Sequence, residues 1–134
     1  MASFHVTLLY SGILGLLLVV LSFNMMKNWV RAAGLGAPND PDLRRAEALV
    51  GSFTDYVPLT LLLLGFAEGS GVPTTALHIL GITLVAARVM HAFGSNYGNG
   101  ADSLRFLGAQ LTYLVLTVES FACLYAYAMP RLSL

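Results

Sequence analysis

Four long apolar segments, separated by short polar connections, constrain this sequence more than any other feature. An α-helix needs about 20 apolar residues to cross the hydrocarbon core of a bilayer. The sequence predicts such helices over residues 4–25, 43–68, 74–95 and 103–129. Only 10% of the residues are charged, whereas a soluble domain carries about 25%. We therefore expect one all-α domain over residues 1–134, an integral membrane four-helix bundle with up-down-up-down topology.

The distribution of basic residues predicts how the bundle is oriented. Lys27, Arg31, Arg44 and Arg45 lie between the first two helices, and Arg105 lies at the start of the fourth. The connection between the second and third helices has no basic residue. By the positive-inside rule, the first and third connections are cytoplasmic and both termini lie on the opposite side. The short connections favour a bacterial inner membrane.

The longest connection is expected between Lys27 and Arg45, where the sequence is rich in Gly, Pro, Asn and Asp. Pro41 is suited to the first position of the second helix, with Asn39 or Asp40 as its N-cap. The apolar run that precedes this stretch is not followed by a small-residue cleavage site. That favours a retained transmembrane helix over a cleaved signal peptide.

Charge and motif content exclude several classes of function. Seven basic and seven acidic residues give no net charge, so no basic surface for nucleic acid is expected. The spacing of Cys, His and carboxylate residues does not resemble a metal site, and there is no phosphate loop, nucleophile elbow or dinucleotide fingerprint. We expect Cys123 to be a buried structural thiol. The expected partners are membrane lipids and an apolar small molecule.

Ionisable residues inside membrane spans are candidates for function. Arg88 and His91 share one face of the third helix because they are three residues apart. Ser52, Asp55 and Tyr56 continue a polar stripe on the second helix. An ion pair between Asp55 and Arg88 would satisfy both charges in a low-dielectric interior. Such a pair either holds the bundle together or belongs to a binding site.

Two further polar residues lie in the third and fourth helices. His78, near the start of the third helix, is expected to be a hydrogen-bonding anchor. Glu119, near the middle of the fourth, is expected to be neutral or paired. It is a candidate for an interhelical hydrogen-bond clamp or, alternatively, for a proton carrier.

Three short blocks resemble the MAPEG family, the membrane-associated proteins of eicosanoid and glutathione metabolism. They are DYVPL at 55–59, LHILG at 77–81 and RVMHAFG at 88–94, within a resemblance that covers 44–110. The resemblance implies a homotrimer of four-helix bundles with glutathione sites between neighbouring subunits, open toward the cytoplasm. Family enzymes conjugate glutathione to electrophiles, reduce lipid hydroperoxides or isomerise lipid peroxides.

The resemblance also implies a set of site residues. The family usually has Arg, Asn and Glu where this sequence has Ala48, Ser52 and Asp55, so Arg44 or Arg45 would have to replace the missing guanidinium. The binding set that follows for the co-substrate glutathione is Arg44, Arg45, Ser52, Asp55, Tyr56, Arg88 and His91.

A catalytic role is expected for Arg105. The family's thiolate-stabilising Arg aligns with Asp102 here, and Arg105 lies one turn further along. A cation at the start of a helix lowers the pKa of a bound thiol, because the positive end of the helix dipole adds to its charge. Asp55 would hold the ammonium group of glutathione.

Three functional hypotheses follow. The leading one is a glutathione-dependent transferase or peroxidase acting on an apolar electrophile or lipid hydroperoxide that enters from the bilayer. The alternative is a non-catalytic MAPEG-fold trimer that has a structural or lipid-binding role, or a subunit of a larger membrane complex. The third is a small transporter or channel, which requires a water-filled path lined by Glu119.

Overall fold

The computed structural model describes residues 4–96 and 102–132, and within these ranges the chain forms four α-helices: α1 (His5–Leu35), α2 (Pro41–Gly69), α3 (Thr74–Asn96) and α4 (Asp102–Leu132). Each helix contains a stretch long and apolar enough to cross a membrane. The prediction of an all-helical membrane protein with four spans is therefore confirmed.

Helix α1 is longer than predicted. Instead of ending near residue 25, it continues to Leu35, so that about the first half of the loop predicted between Lys27 and Arg45 is helical. The side-chain amide of Asn28 donates a hydrogen bond to the Asn24 carbonyl at 2.8 Å. The helix ends at Gly36, whose φ of 65° is in the left-handed region that favours glycine. Polar residues thus mark where α1 leaves the apolar stretch, and the glycine marks where it ends.

The start of α2 combines a proline and a capping carboxylate. Pro41 occupies the first turn, and the Asp40 carboxylate accepts a hydrogen bond from the Leu43 N–H at 3.1 Å. Arg31 forms an ion pair with the same carboxylate. Desolvation alone would raise the pKa of Asp40, but the hydrogen bonds from Arg31 and Leu43 outweigh it and lower that pKa. The cap is therefore retained at neutral pH and weakens as the pH falls through the lowered pKa.

The core lies along the bundle interior. Its larger apolar cluster contains residues from all four helices, such as Leu14 of α1, Phe53 of α2, Leu84 of α3 and Val115 of α4. Many large apolar side chains on the outer faces remain exposed, such as Phe23. That distribution is expected of a bundle surrounded by hydrocarbon rather than water.

Two polar contacts join α1 to its neighbours. The Thr7 N–H donates a hydrogen bond to the Glu68 carboxylate at 3.1 Å, which satisfies a donor in the first turn of α1. The Tyr10 hydroxyl lies 2.9 Å from Nδ1 of His78. The predicted role of His78 as a hydrogen-bonding anchor is confirmed.

Helices α3 and α4 pack closely against each other at Gly108. A Cβ atom at this position would lie 2.5 Å from the Ala87 carbonyl oxygen and 2.7 Å from the His91 nitrogen. Both obstacles are backbone atoms, so no side-chain movement relieves the clash. Gly108 therefore sets the α3–α4 distance and, with it, the position of His91 relative to α4.

Replacing Gly108 with Ala is expected to force α3 and α4 apart and to destabilise the protein by about 1–3 kcal/mol, as overpacking does elsewhere. Thermal unfolding in detergent measures the effect. Gly15→Ala is the matched control, because a Cβ atom there meets no atom within 4 Å and Ala favours the helix. A Gly108→Ala variant that melts at or above the wild-type temperature would contradict the proposed close contact.

Candidate functional site

Two adjoining cavities form a cleft between α2, α3 and α4. The inner cavity has a volume of about 410 Å³ and the outer one of about 370 Å³, both within the range of small-molecule sites. They share Ala48, Ser52 and His91. The inner cavity is also lined by Gly51, Asp55, Tyr56, Arg88, Ala109, Thr112 and Tyr113, and the outer cavity by Arg44, Arg45 and Arg105.

All the site residues predicted from the sequence line this cleft. Three of the four predicted arginines lie in the outer cavity, and the fourth, Arg88, lies in the inner one with Asp55 and Tyr56. Ser52 and His91 lie where the two cavities meet. The structure thus brings the predicted residues together, while their roles stay predictions.

Helical spacing explains how two helices line one cleft. Positions 48, 52, 55 and 56 on α2 repeat at intervals of three and four residues, and positions 105, 109, 112 and 113 on α4 repeat in the same way. Residues at these intervals share a helix face. Small side chains at Ala48, Gly51 and Ala109 leave the space that the cleft occupies.

Arg88 is the most deeply buried charge of the cleft, with 2% of its surface exposed. One guanidinium nitrogen, Nη2, donates to the Ser52 hydroxyl at 3.3 Å, and the group lies over the Phe53 ring at 5.6 Å. Its Nε has no hydrogen-bond partner among the described residues. In residues 4–96 and 102–132, the ion pairs involve Arg31 and Arg45 but not Arg88. Arg88 is therefore a buried cation without a counter-charge from this part of the chain.

The predicted ion pair between Asp55 and Arg88 is wrong. Asp55 is exposed and makes no ion pair with Arg88, although both residues line the inner cavity. Ser52, one turn earlier on α2, contacts the guanidinium instead. An exposed aspartate keeps its hydration, which it would lose on moving beside Arg88.

Tyr113 also lines the inner cavity, although it was not among the site residues predicted from the sequence. Its hydroxyl lies 3.3 Å from that of Tyr56, and the two rings meet edge to face with centroids 5.3 Å apart. The spacing of eight residues from Arg105 was the available signal, because it places Tyr113 on the same face of α4.

Glu119 lies outside the cleft. It is fully buried, and neither of its carboxylate oxygens has a hydrogen-bond partner among the described residues. The predicted interhelical clamp is therefore not formed with any residue in this part of the chain. Cys123, one turn further along α4, donates to the Leu63 carbonyl at 3.6 Å.

The cleft has the electrostatics of an anion-binding site. Four arginines line its two cavities, together with the single carboxylate of Asp55. Arg105 lies in the first turn of α4, where the helix dipole adds positive potential. Charged hydrogen bonds from guanidinium groups are well suited to carboxylates. No group of three or more potential metal ligands occurs among the described residues.

Comparison with known proteins gives a consistent result. A sequence model of the MAPEG family matches residues 7–125. The inner membrane protein YecN of Escherichia coli strain K12 is 31% identical over 93 residues, which cover 69% of this chain and 71% of YecN. YecN of E. coli O6:H1 matches to the same extent. No solved structure matches the chain significantly.

The absence of an ion pair between Asp55 and Arg88 predicts how both respond to mutation. Breaking a buried pair costs about 3–5 kcal/mol, whereas we expect Asp55→Asn to change the unfolding free energy by less than about 0.5 kcal/mol. Arg88→Met removes an uncompensated buried charge at similar volume, so its melting temperature should equal or exceed that of the wild type. Leu84→Ala, in the core, is the destabilised reference at about 2–5 kcal/mol. If Asp55→Asn lowered the unfolding free energy as much as Leu84→Ala does, the result would contradict this prediction and indicate that the ion pair forms.

Proposed function

The chain belongs to the MAPEG family, and from that premise we propose that it is a glutathione-dependent membrane transferase or peroxidase. Its second substrate is an apolar electrophile or a lipid hydroperoxide. The observation that supports this most directly is the buried guanidinium of Arg88, which faces a cavity without a counter-charge from the described residues. A membrane protein retains such a cation at considerable cost, and an anionic ligand would compensate it.

Glutathione matches the charges of the cleft. The tripeptide has two carboxylates and one ammonium group, and it gains a further negative charge when its thiol ionises. Arg44, Arg45 and Arg88 are the candidates for the carboxylates, because a guanidinium fork binds a carboxylate through two parallel hydrogen bonds. Asp55 is the candidate for the ammonium group. Ser52 and His91 supply polar groups where the two cavities meet, and Tyr56 supplies a hydroxyl to the inner one.

Arg105 is the candidate catalytic residue. A free thiol has a pKa near 8.5, so at neutral pH only a small fraction is the reactive thiolate. The Arg105 guanidinium and the N-terminus of α4 both favour a negative charge in the outer cavity. They would raise the thiolate fraction of bound glutathione, which then attacks the electrophilic atom of the second substrate.

The proposed assembly is a homotrimer with up-down-up-down helices in an inner membrane. The basic residues around the first and third connections support a cytoplasmic location for these loops. The apolar outer faces of the helices supply surface for contact with lipid and with neighbouring subunits. The relatives named as inner membrane proteins support the same location for this chain. The second substrate would enter from the bilayer.

A non-catalytic MAPEG trimer, which binds lipid or joins a larger membrane complex, is the second candidate. One sequence observation favours it. Ala48 and Ser52 stand where the family usually has Arg and Asn, and both positions line the cleft. The loss of a guanidinium and of an amide weakens recognition of the tripeptide unless Arg44 and Arg45 compensate.

Equilibrium binding of glutathione to the detergent-purified protein tests the proposal, with thiolate formation followed by ultraviolet difference absorbance. We expect a dissociation constant between about 1 μM and 1 mM. Arg88→Met should weaken binding at least tenfold, because a charged hydrogen bond contributes about 1.5–3 kcal/mol. Arg105→Leu should abolish the thiolate signal.

Lys27→Met is the matched control, because it removes a positive charge from an exposed position of α1 that does not line the cleft. It should bind glutathione as the wild type does. No binding at about 10 mM, where a site of about 1 mM would be mostly filled, would contradict the proposal and favour the non-catalytic trimer.

A further inference from the structure

A further cavity, of about 390 Å³, lies between the C-terminal part of α1 and the start of α2. Trp29, Ala32 and Ala33 line it from α1, and Leu43 and Glu47 line it from α2. This α1–α2 cavity shares no lining residue with the two cavities of the cleft. The proposed glutathione chemistry therefore does not use it.

The side chains of the α1–α2 cavity favour a positively charged ligand. Among the described residues that line it, Glu47 is the only ionisable one. Glu47 is exposed and takes part in none of the ion pairs formed within residues 4–96 and 102–132. Trp29, which is 59% exposed, supplies an indole ring, and the face of such a ring attracts cations. A carboxylate and an aromatic ring thus line one cavity without a basic side chain between them.

The C-terminus of α1 adds a third source of negative potential. The dipole of a helix places partial negative charge on its last carbonyl groups. The last turn of α1 contains no basic residue. Arg31, just before that turn, forms ion pairs with Asp40 and Asp42. Since Ala33 and Gly36 line the cavity, this end of the helix contributes its negative potential there.

Trp29 and Glu47 lie at the level where the helices leave the hydrocarbon. Trp29 follows Lys27, which is the first Lys, Arg, Asp or Glu of the chain, and tryptophan is enriched at this membrane interface. Trp29 is seven residues before Gly36 and Glu47 is six residues after Pro41, so each lies about 10 Å from the connection between the helices. The headgroups of the surrounding lipids are the molecules that reach this level from the bilayer.

We infer that the α1–α2 cavity binds the primary ammonium group of a zwitterionic phospholipid, such as phosphatidylethanolamine. A primary ammonium has three N–H donors, which match the Glu47 carboxylate and the carbonyl oxygens at the end of α1. The quaternary ammonium of phosphatidylcholine has no such donor and interacts with the ring alone. This site lies outside the cleft, so the inference goes beyond the proposed function and does not rest on it.

Tryptophan fluorescence reports this cavity selectively, because Trp29 is the only tryptophan of the chain. Lipids that are brominated on the upper part of their acyl chains quench the fluorescence of a tryptophan that they contact. The full-length protein is reconstituted into vesicles of dioleoylphosphatidylcholine with increasing fractions of a brominated lipid. That lipid is either phosphatidylethanolamine or phosphatidylcholine with the same chains, and the mole fraction at half-maximal quenching measures how strongly each one is preferred beside Trp29.

We expect brominated phosphatidylethanolamine to reach half-maximal quenching at a mole fraction at least about threefold lower than brominated phosphatidylcholine, because only the primary ammonium forms charged hydrogen bonds with a carboxylate. Glu47→Ala should abolish this preference. Asp42→Ala is the matched control, because it removes an exposed carboxylate from the same end of α2 that does not line the cavity. It should keep the wild-type preference.

Other results would overturn the inference. Equal half-maximal fractions for the two lipids in the wild type do so, whether or not the variants fold. A preference that survives in Glu47→Ala does so as well, and so does stronger quenching by a brominated phosphatidylglycerol, which has no ammonium group. If about 10 mM phosphoethanolamine, enough to fill most of a site of about 1 mM, relieves the quenching, a soluble amine rather than a lipid is the ligand. None of these results affects the proposal that the cleft binds glutathione.

Discussion

The exclusion of water by hydrocarbon is the constraint on which the structure depends. Because a bilayer offers no hydrogen-bond partners, each backbone group must be satisfied within its own helix, and polar side chains must turn toward protein. The four helices meet the first requirement. Arg88, His91 and Glu119 meet the second, since all three are buried between helices. The location of the cleft inside the bundle follows from the same constraint.

Small residues determine where the bundle is tight and where it is open. Gly108 lets α4 approach the backbone of α3, next to His91. Ala48, Gly51 and Ala109 keep the facing parts of α2 and α4 from filling the space between them. Close packing on one side and missing side-chain volume on the other thus create a cleft without any break in a helix.

The charges of the cleft are poorly explained by stability alone. A buried ion pair contributes little to stability compared with well-packed apolar residues. Arg88 does not form even an ion pair, because none of the described residues supplies an acidic partner for its guanidinium. Its neighbours, the Ser52 hydroxyl and the Phe53 ring, orient the guanidinium but do not neutralise it. A ligand that supplies negative charge accounts for this arrangement. The arginines of the outer cavity extend the positive potential toward the N-termini of α2 and α4.

The sequence by itself determined the number of helices, because apolar length and charge depletion are local properties that hydrocarbon selects directly. It also identified eight residues that line the cleft, since helical spacing places them on shared faces. It did not determine the end of α1, because polar residues signal exit from hydrocarbon but do not stop a helix before Gly36. Only the tertiary structure decided that Ser52 rather than Asp55 contacts Arg88, and that Tyr113 meets Tyr56. Those contacts depend on the rotation and distance of whole helices, which close packing at residues such as Gly108 sets and which spacing along one helix does not encode.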